Sequence, residues 1–422
     1  MILYVHHGAV LGGAPTSLRN LVQGVSKETD FICCICCIWP EMKEYFSSLE
    51  NVEVGCYPKI GLFSGRVLIG WSRGLSLNRF INFWKEILSS PYYIYKEYIF
   101  IKLKSPEIVH LNSSILWTSA IAARLCKIPV VWHIREASDD TSYNYIRKAY
   151  TWFIRKTAHA VICIGPQEYS KMGGERSSKV VKIYNSLAES FFIDRAYDTS
   201  ELRKSLDFPD QAFIYLSLGG VSFRKGTYQF IDALKFLPES IIAVLLGENR
   251  GIKPLAQSRL TSCQFRLEDF LVKKNLKRYF SWNYQKRVAS LLMNTDKKRF
   301  NIAGAVDDVQ PYIKACDVLI FAGTTPHSAR PVYEAWALKK PVIVFDSEVM
   351  RQDIDDGIDG IIVKDHTAEA LAEAIIQLKE DPERARKMGE AGYMKARERF
   401  SMKSNNTKII QIYRDILGED RI

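Results

Sequence analysis

The chain has 422 residues, of which 47% are hydrophobic and 25% charged, with a formal net charge of +11. That length exceeds one ordinary domain and predicts two, and the balance of residue types excludes intrinsic disorder. No apolar run of about eighteen residues occurs, so a spanning helix is not expected. Met1-Ile2-Leu3-Tyr4-Val5 opens directly as a strand without a basic leader, and the expected location is cytoplasmic.

In chain order, the first half alternates short apolar runs with longer amphipathic ones, the pattern of βαβ units around a parallel sheet. Strands are predicted at 2–7, 31–38, 52–57, 108–111, 130–133, 160–164 and 180–184. Pro15 and Pro40 stand where a helix can begin, since a first-turn residue needs no amide proton. Cys33, Cys34, Cys36 and Cys37 crowd the second run. A zinc pair of Cys33 and Cys36 has no second Cys or His pair nearby, so the four read as small apolar side chains in a buried strand.

A polar stretch at 185–200 marks a break, and the same grammar restarts. Strands are predicted at 213–218, 241–246, 300–303, 318–321, 341–344 and 360–363, with helices at 226–236 and 329–338 among those between them. The expected fold class is α/β, two Rossmann-like domains facing a central cleft. Domains are expected at 1–190 and 191–400, and residues 401–422 are expected to form a helix crossing back to the first domain. Open parallel sheets bind ligands beyond the carboxyl ends of their strands, so the cleft is the expected site.

The charge is uneven. Residues 250–299 hold thirteen Lys or Arg against Glu268, Asp269 and Asp296, leaving the rest of the chain almost neutral. This insertion mixes cations with aromatics, as in Lys277-Arg278-Tyr279-Phe280, which raises nucleic-acid binding, but a solvated helical hairpin is the expected account. A second basic and aromatic stretch, 66–104, contains Trp71, Phe80, Trp84, Tyr92 and Tyr95. It suits an anionic membrane face, where each nearby Lys or Arg adds about 1 kcal/mol. A helical hairpin packed on its own domain accounts for it equally well.

Three segments carry chemistry. After the first strand, Gly12-Gly13 brings backbone amides and a helix start towards one point, which suits a phosphate, although such a turn also needs glycine for conformation. After the first strand of the second half, Gly219-Gly220 leads into Arg224-Lys225-Gly226, where paired cations can neutralise a pyrophosphate. Third, Glu334 sits near the start of a helix entered through 324–330, able to accept two ribose hydroxyl protons, though an acid there also favours the helix itself.

These motifs, in this order, resemble the retaining glycosyltransferases of family 4, which have the B-type double-Rossmann fold. The resemblance is strongest over 213–400 and rests on Gly12-Gly13-Ala14, Arg224-Lys225-Gly226, Ala303-Gly304-Ala305-Val306, and Glu334-Ala335 with Lys340-Pro341-Val342-Ile343. It implies that Glu334 binds ribose, that Arg224 and Lys225 hold the diphosphate, and that Gly13 and Gly12 face the departing phosphate. Gly220, Ala305 and Val306 border the donor, and His133 approaches the transferred sugar. The family's first glutamate is absent: its position is Pro326, so His327, Ser328 or Arg330 is expected to take over sugar recognition, and Ser328 and Ala329 stand where the family favours glycine-rich backbone contacts to the donor.

The implied reaction moves a sugar, with retention, from a nucleoside diphosphate sugar to a glycan or lipid-linked acceptor in cell-surface polysaccharide assembly. Cations and helix-end amides can stabilise the leaving diphosphate, so no metal and no cofactor beyond the sugar nucleotide is expected. The acceptor is expected on the first domain, with peripheral membrane contact through 66–104. The alternatives are a non-catalytic sugar-nucleotide scaffold and an epimerase of the same fold.

Overall fold

The computed structural model describes residues 1–9, 13–58, 60, 77–136, 144–193, 197–247, 280–323 and 329–418. The chain divides into two compact units, Met1–Glu189 with Arg399–Ile422, and Ser190–Glu398.

The first unit is built on β1 (Ile2–His6), β2 (Cys33–Cys37), β3 (Val52–Cys56), β4 (Ile108–Leu111), β5 (Val130–Ile134), β6 (Ala160–Cys163) and β7 (Val180–Lys182). All are parallel, in the order β3-β2-β1-β4-β5-β6-β7, with Ile2 paired to both Cys33 and Ile108. Helices on both faces bury the central strands completely, which is why they read as unbroken apolar runs. Side chains alternate: Ile2, Tyr4, Cys33, Ile35, Cys37 and Ile108 enter one core, and Leu3, Val5, Cys34, Cys36 and Val109 the other. The four cysteines are therefore buried filling, two to each face, and are free thiols. The first core is closed by the helices Gly13–Glu28 and Met402–Leu417, through Leu18, Val22, Ile409, Ile410 and Tyr413.

The second unit holds β8 (Phe213–Leu218), β9 (Ile241–Leu246), β10 (Phe300–Gly304), β11 (Val318–Phe321), β12 (Val342–Phe345) and β13 (Ile361–Val363), parallel in the order β10-β9-β8-β11-β12-β13. A buried knot anchors the amino-terminal edge of this sheet. Arg203 donates from Nε to Ala315 O at 3.0 Å and from Nη2 to the Asp317 carboxylate at 2.9 Å, and Asp317 also accepts from Ile214 N at 2.7 Å.

Two expectations change. The described part of the aromatic segment is one long helix, Leu77–Lys104, with Pro91 inside it, and not a hairpin; residues 66–76 lie outside the described residues. The described end of the basic insertion, the helix Phe280–Met293, is not a solvated appendage. It sinks Tyr284, Val288, Ala289 and Leu291 into the second unit's core, because its apolar residues recur at helical spacing. Residues 250–279 lie outside the described residues. No described helix is long and apolar enough to cross a membrane.

Candidate functional site

In the second sheet the strand order reverses between β8 and β11, so the loops leaving those strands diverge and open a crevice at their carboxyl ends. The loop after β8 is shaped by glycine. Gly226 has φ 63°, and a Cβ there would come within 2.1 Å of Ala322 O, so only glycine lets the loop close against the end of β11. That closure carries Lys225 over the end of β11, its Nζ 5.4 Å from the centre of the Phe321 ring. Burial lowers the Lys225 ammonium from its ordinary value, the condition of a cation held out of water. Arg224, its neighbour, is exposed and has no partner among the described residues, so the expected matched pair is an inner cation and an outer one.

Gly220 is held by the same turn. Its N–H donates to Leu246 O at 2.7 Å and its carbonyl accepts from Thr227 Oγ1 at 3.2 Å, so both backbone groups are already used. The residue serves the turn, at φ 70°, and has no amide to offer a ligand. At the end of β10, Gly304 at φ 77° accepts from Gly247 N at 2.6 Å and turns the chain into Ala305, which is exposed, and Val306, which is half-buried.

After β11 the helix Arg330–Ala337 starts without a side-chain cap at Ala329, with Pro331 in its first turn. Glu334 lies on it, 7% exposed, and its Oε1 accepts from Arg330 Nε at 2.7 Å. Oε2 has no donor among the described residues. Burial raises the Glu334 carboxyl and Arg330 opposes that, while Asp308, from the loop after β10, raises it further. Asp308 itself accepts from Gln310 N, the first residue of the next helix, at 2.9 Å. Loops from β8, β10 and β11 thus bring the predicted donor residues to one edge of the sheet. Gly12, Pro326, His327 and Ser328 lie outside the described residues.

In the first sheet the corresponding reversal falls between β1 and β4. Gly13 begins the helix Gly13–Glu28, exposed, with nothing within 4 Å of a Cβ built on it. It also lies outside the left-handed region, so neither turn geometry nor packing among the described residues demands glycine there. His133, near the end of β5, is 3% exposed and sits in a polar cluster that sequence reasoning missed. His133 Nδ1 is 3.2 Å from His110 Nε2 and 3.3 Å from Arg135 Nη2. Arg135 also donates to Asn112 Oδ1 at 2.5 Å and to Asn185 Oδ1, and Asn112 Nδ2 is 3.2 Å from His6 Nδ1. The signal was in the alternation: on the face of Ile2, Tyr4, Ile108 and Val131, apolar residues give way at the carboxyl ends to His6, His110, Asn112, His133 and Arg135.

Residues 198–395 match the model of the family described as glycosyl transferases group 1. The lipopolysaccharide core biosynthesis glycosyltransferase LpsE of Rhizobium meliloti is 24% identical over 260 residues, 61% of this chain and 64% of that protein, so the match spans less than two thirds of the relative. Two solved structures share the fold. HepE of Anabaena, in complex with UDP, has TM-score 0.72 and 17% identity, covering 97% of this chain and 98% of that one. A glycosyltransferase from Rickettsia africae has TM-score 0.71 and 18% identity, covering 99% and 98%. The second unit is therefore, over residues 198–395, a group 1 glycosyl transferase domain, carried in a chain with the two-sheet α/β fold of these glycosyltransferase structures.

Proposed function

We propose that the chain is a retaining glycosyltransferase that moves a sugar from a nucleoside diphosphate sugar to a glycan or lipid-linked acceptor in polysaccharide or lipopolysaccharide assembly. The observation that carries this reading is the convergence of Lys225 and Glu334 on the β8/β11 reversal within the segment that matches the family. In the proposed complex Glu334 Oε2 accepts from the ribose, and Lys225, with Arg224 at the rim, offsets the charge that grows on the departing diphosphate. The UDP complex of HepE and the role named for LpsE support the donor class and the setting. Ala329 and Arg330 border the sugar, and Gly13 serves the departing phosphate. Cations and backbone amides meet the electrostatic demand, so the proposed transfer needs no divalent metal.

The experiment is a thermal-shift panel of nucleoside diphosphate sugars, because a ligand that binds only the folded state raises the melting point. One donor is expected to raise it at about 100 times its Kd, by the equivalent of about 2.7 kcal/mol. The stabilising donor is then incubated with and without acceptor. Release of free nucleoside diphosphate that depends on acceptor supports transfer. Binding without release identifies a scaffold, and sugar conversion without acceptor an epimerase.

The first unit carries the acceptor and meets a membrane surface in this reading. The helix Leu77–Lys104 inverts the usual arrangement: Ile81, Trp84, Leu88, Tyr92, Tyr95 and Ile99 form an exposed stripe at helical spacing, while Glu97 is buried. Lys85, Lys96 and Lys102 are exposed on the same helix, and rings with cations suit an anionic lipid interface. A double Ile81→Asp, Leu88→Asp variant is expected to bind vesicles containing anionic lipid at least tenfold more weakly than the parent, since each charge on an apolar face forfeits about 1–3 kcal/mol of transfer. Equal sedimentation with vesicles, or a dimer broken by the same changes, would assign the stripe to another surface.

A further inference from the structure

The loop that carries Arg224 and Lys225 is held from a distant part of the chain. Both cations fall between Phe223 and Tyr228, and one side chain, Tyr284, reaches both of those neighbours. Its ring meets Phe223 edge-on, with centroids 5.6 Å apart and planes at 90°. Its hydroxyl oxygen accepts from Tyr228 N at 2.7 Å. That amide belongs to the first turn of the helix Thr227–Asp232, where no carbonyl of the helix can take it. The residue before the helix is Gly226, which has no side chain to cap it, and the closure on Ala322 O admits nothing larger there. The turn cannot carry its own cap, so the acceptor has to come from elsewhere, and the Tyr284 phenol supplies it.

Tyr284 is itself fixed. It lies on the helix Phe280–Met293, 7% exposed, and Val288, Ala289 and Leu291 anchor that helix in the second unit's core. Arg287, one turn on, lies over the Tyr228 ring at 4.9 Å. Burial pushes the Tyr284 phenol up to about 12, against the hydrogen bonds from Tyr228 and Thr227, so the hydroxyl is neutral at physiological pH. Across the base of the loop, Ser222 N donates to Thr227 Oγ1 at 3.0 Å. With the base closed and both flanks held, the backbone at 224 and 225 has little freedom left.

We propose that Tyr284 is a positioning residue for Lys225: by holding Phe223 and the Tyr228 amide at once, it sets the loop that carries the inner cation over the end of β11. The end of the basic insertion is thereby tied to the donor loop. What Lys225 does at a diphosphate rests on the glycosyltransferase reading, whereas the hold on the loop does not.

Tyr284→Phe keeps the ring against Phe223 and removes only the acceptor. In the full chain without ligand, exchange of the Tyr228 amide proton is expected to speed up at least tenfold in this variant, with circular dichroism unchanged. An amide equally protected in parent and variant, or unprotected in the parent, would remove the hold; the parent alone answers the second point should the variant not fold. Calorimetric titration with UDP, GDP and ADP then reads the loop. For whichever binds the parent, Tyr284→Phe is expected to weaken affinity about fivefold, and to change it less than about twofold in a Lys225→Ala background. Equal losses in both backgrounds would overturn the positioning role. Tyr215→Phe is the comparison, because it also deletes a buried hydroxyl bonded to the same helix, at Phe230 O, 3.1 Å away. It is expected to lower the melting temperature to a similar degree and to leave affinity unchanged; a matching loss of affinity would reduce Tyr284 to general support of the fold. A free diphosphate carries the charge that a donor develops only as its sugar departs, so Tyr284→Phe is expected to lower kcat about fivefold and to leave the donor KM within about twofold. A raised KM at unchanged kcat would contradict the proposal. Should none of the three nucleotides bind the parent, the donor reading of the second unit falls, while the exchange result still decides the hold.

Discussion

Lys225→Ala is expected to weaken binding of the matching nucleoside diphosphate by about thirtyfold and to lower kcat/KM by about 10²–10³, while Arg224→Ala costs only a few-fold. The asymmetry follows from placement. Lys225 is drawn over Phe321 and partly withdrawn from water, where a charge acts in a lower effective dielectric, whereas Arg224 is exposed and screened. Glu334→Ala is expected to match Lys225→Ala in binding, because it removes the acceptor oxygen and leaves Arg330 without its 2.7 Å partner. Calorimetric titration with the nucleoside diphosphate, followed by initial-rate kinetics, measures both. If Arg224→Ala proves the more damaging of the two cations, the inner position assigned to Lys225 is wrong.

Glu97→Gln is expected to stabilise the protein above neutral pH by about 3 kcal/mol and to leave it unchanged near pH 4.5. Glu97 is fully buried on the helix Leu77–Lys104, with the Tyr57 hydroxyl donating to Oε2 at 3.2 Å. Burial pushes its carboxyl up from 4.5 to about 7, against the hydrogen bonds that favour the charged form. A carboxyl with a raised folded-state pKa binds more protons in the native chain than in the unfolded one. Its contribution is therefore complete below about pH 4.5, is lost as pH rises to about 7, and stays lost above that. Glutamine cannot ionise and is spared this loss. The check is the difference in unfolding free energy between parent and variant from pH 4.5 to 8, since titrations elsewhere cancel in the difference. A difference that does not change with pH would place Glu97 in contact with water.

Much of the fold was legible because parallel strands buried on both faces leave short apolar runs that nothing else in the sequence imitates. β4, β8, β9 and β11 fall on the predicted residues, and β1, β2 and β5 differ from prediction only at their ends. The donor edge was legible for a related reason: Gly226 and Glu334 stand in loops whose geometry few residues satisfy. Other features were hidden. Arg224 and Lys225 are adjacent and chemically alike, and only the closure of Gly226 on Ala322 O separates the inner cation from the outer. That both backbone groups of Gly220 are used within the turn, its N–H by Leu246 O and its carbonyl by Thr227, depends on partners the sequence does not mark. His133 read as a lone histidine because its partners His110, Asn112 and Tyr413 are distant in sequence and meet only through strand register and the last helix. The inverted helix Leu77–Lys104 defeated a composition argument, since its buried acid and outward leucines match neither a hairpin nor an ordinary surface helix.

Because Arg399–Ile422 belongs with Met1–Glu189, the second unit is spliced into the first as an insertion, and the first is finished only by the chain's last stretch. During synthesis the usual order, amino-terminal domain first, is then reversed. Ribosomes add roughly 5–20 residues per second, so the opening sheet waits tens of seconds for the segment that brings Ile409, Ile410 and Tyr413 to its open face. A nascent chain stalled short of residue 399 would hold a complete transferase domain beside a half-covered sheet, the kind of exposed apolar surface that chaperones bind.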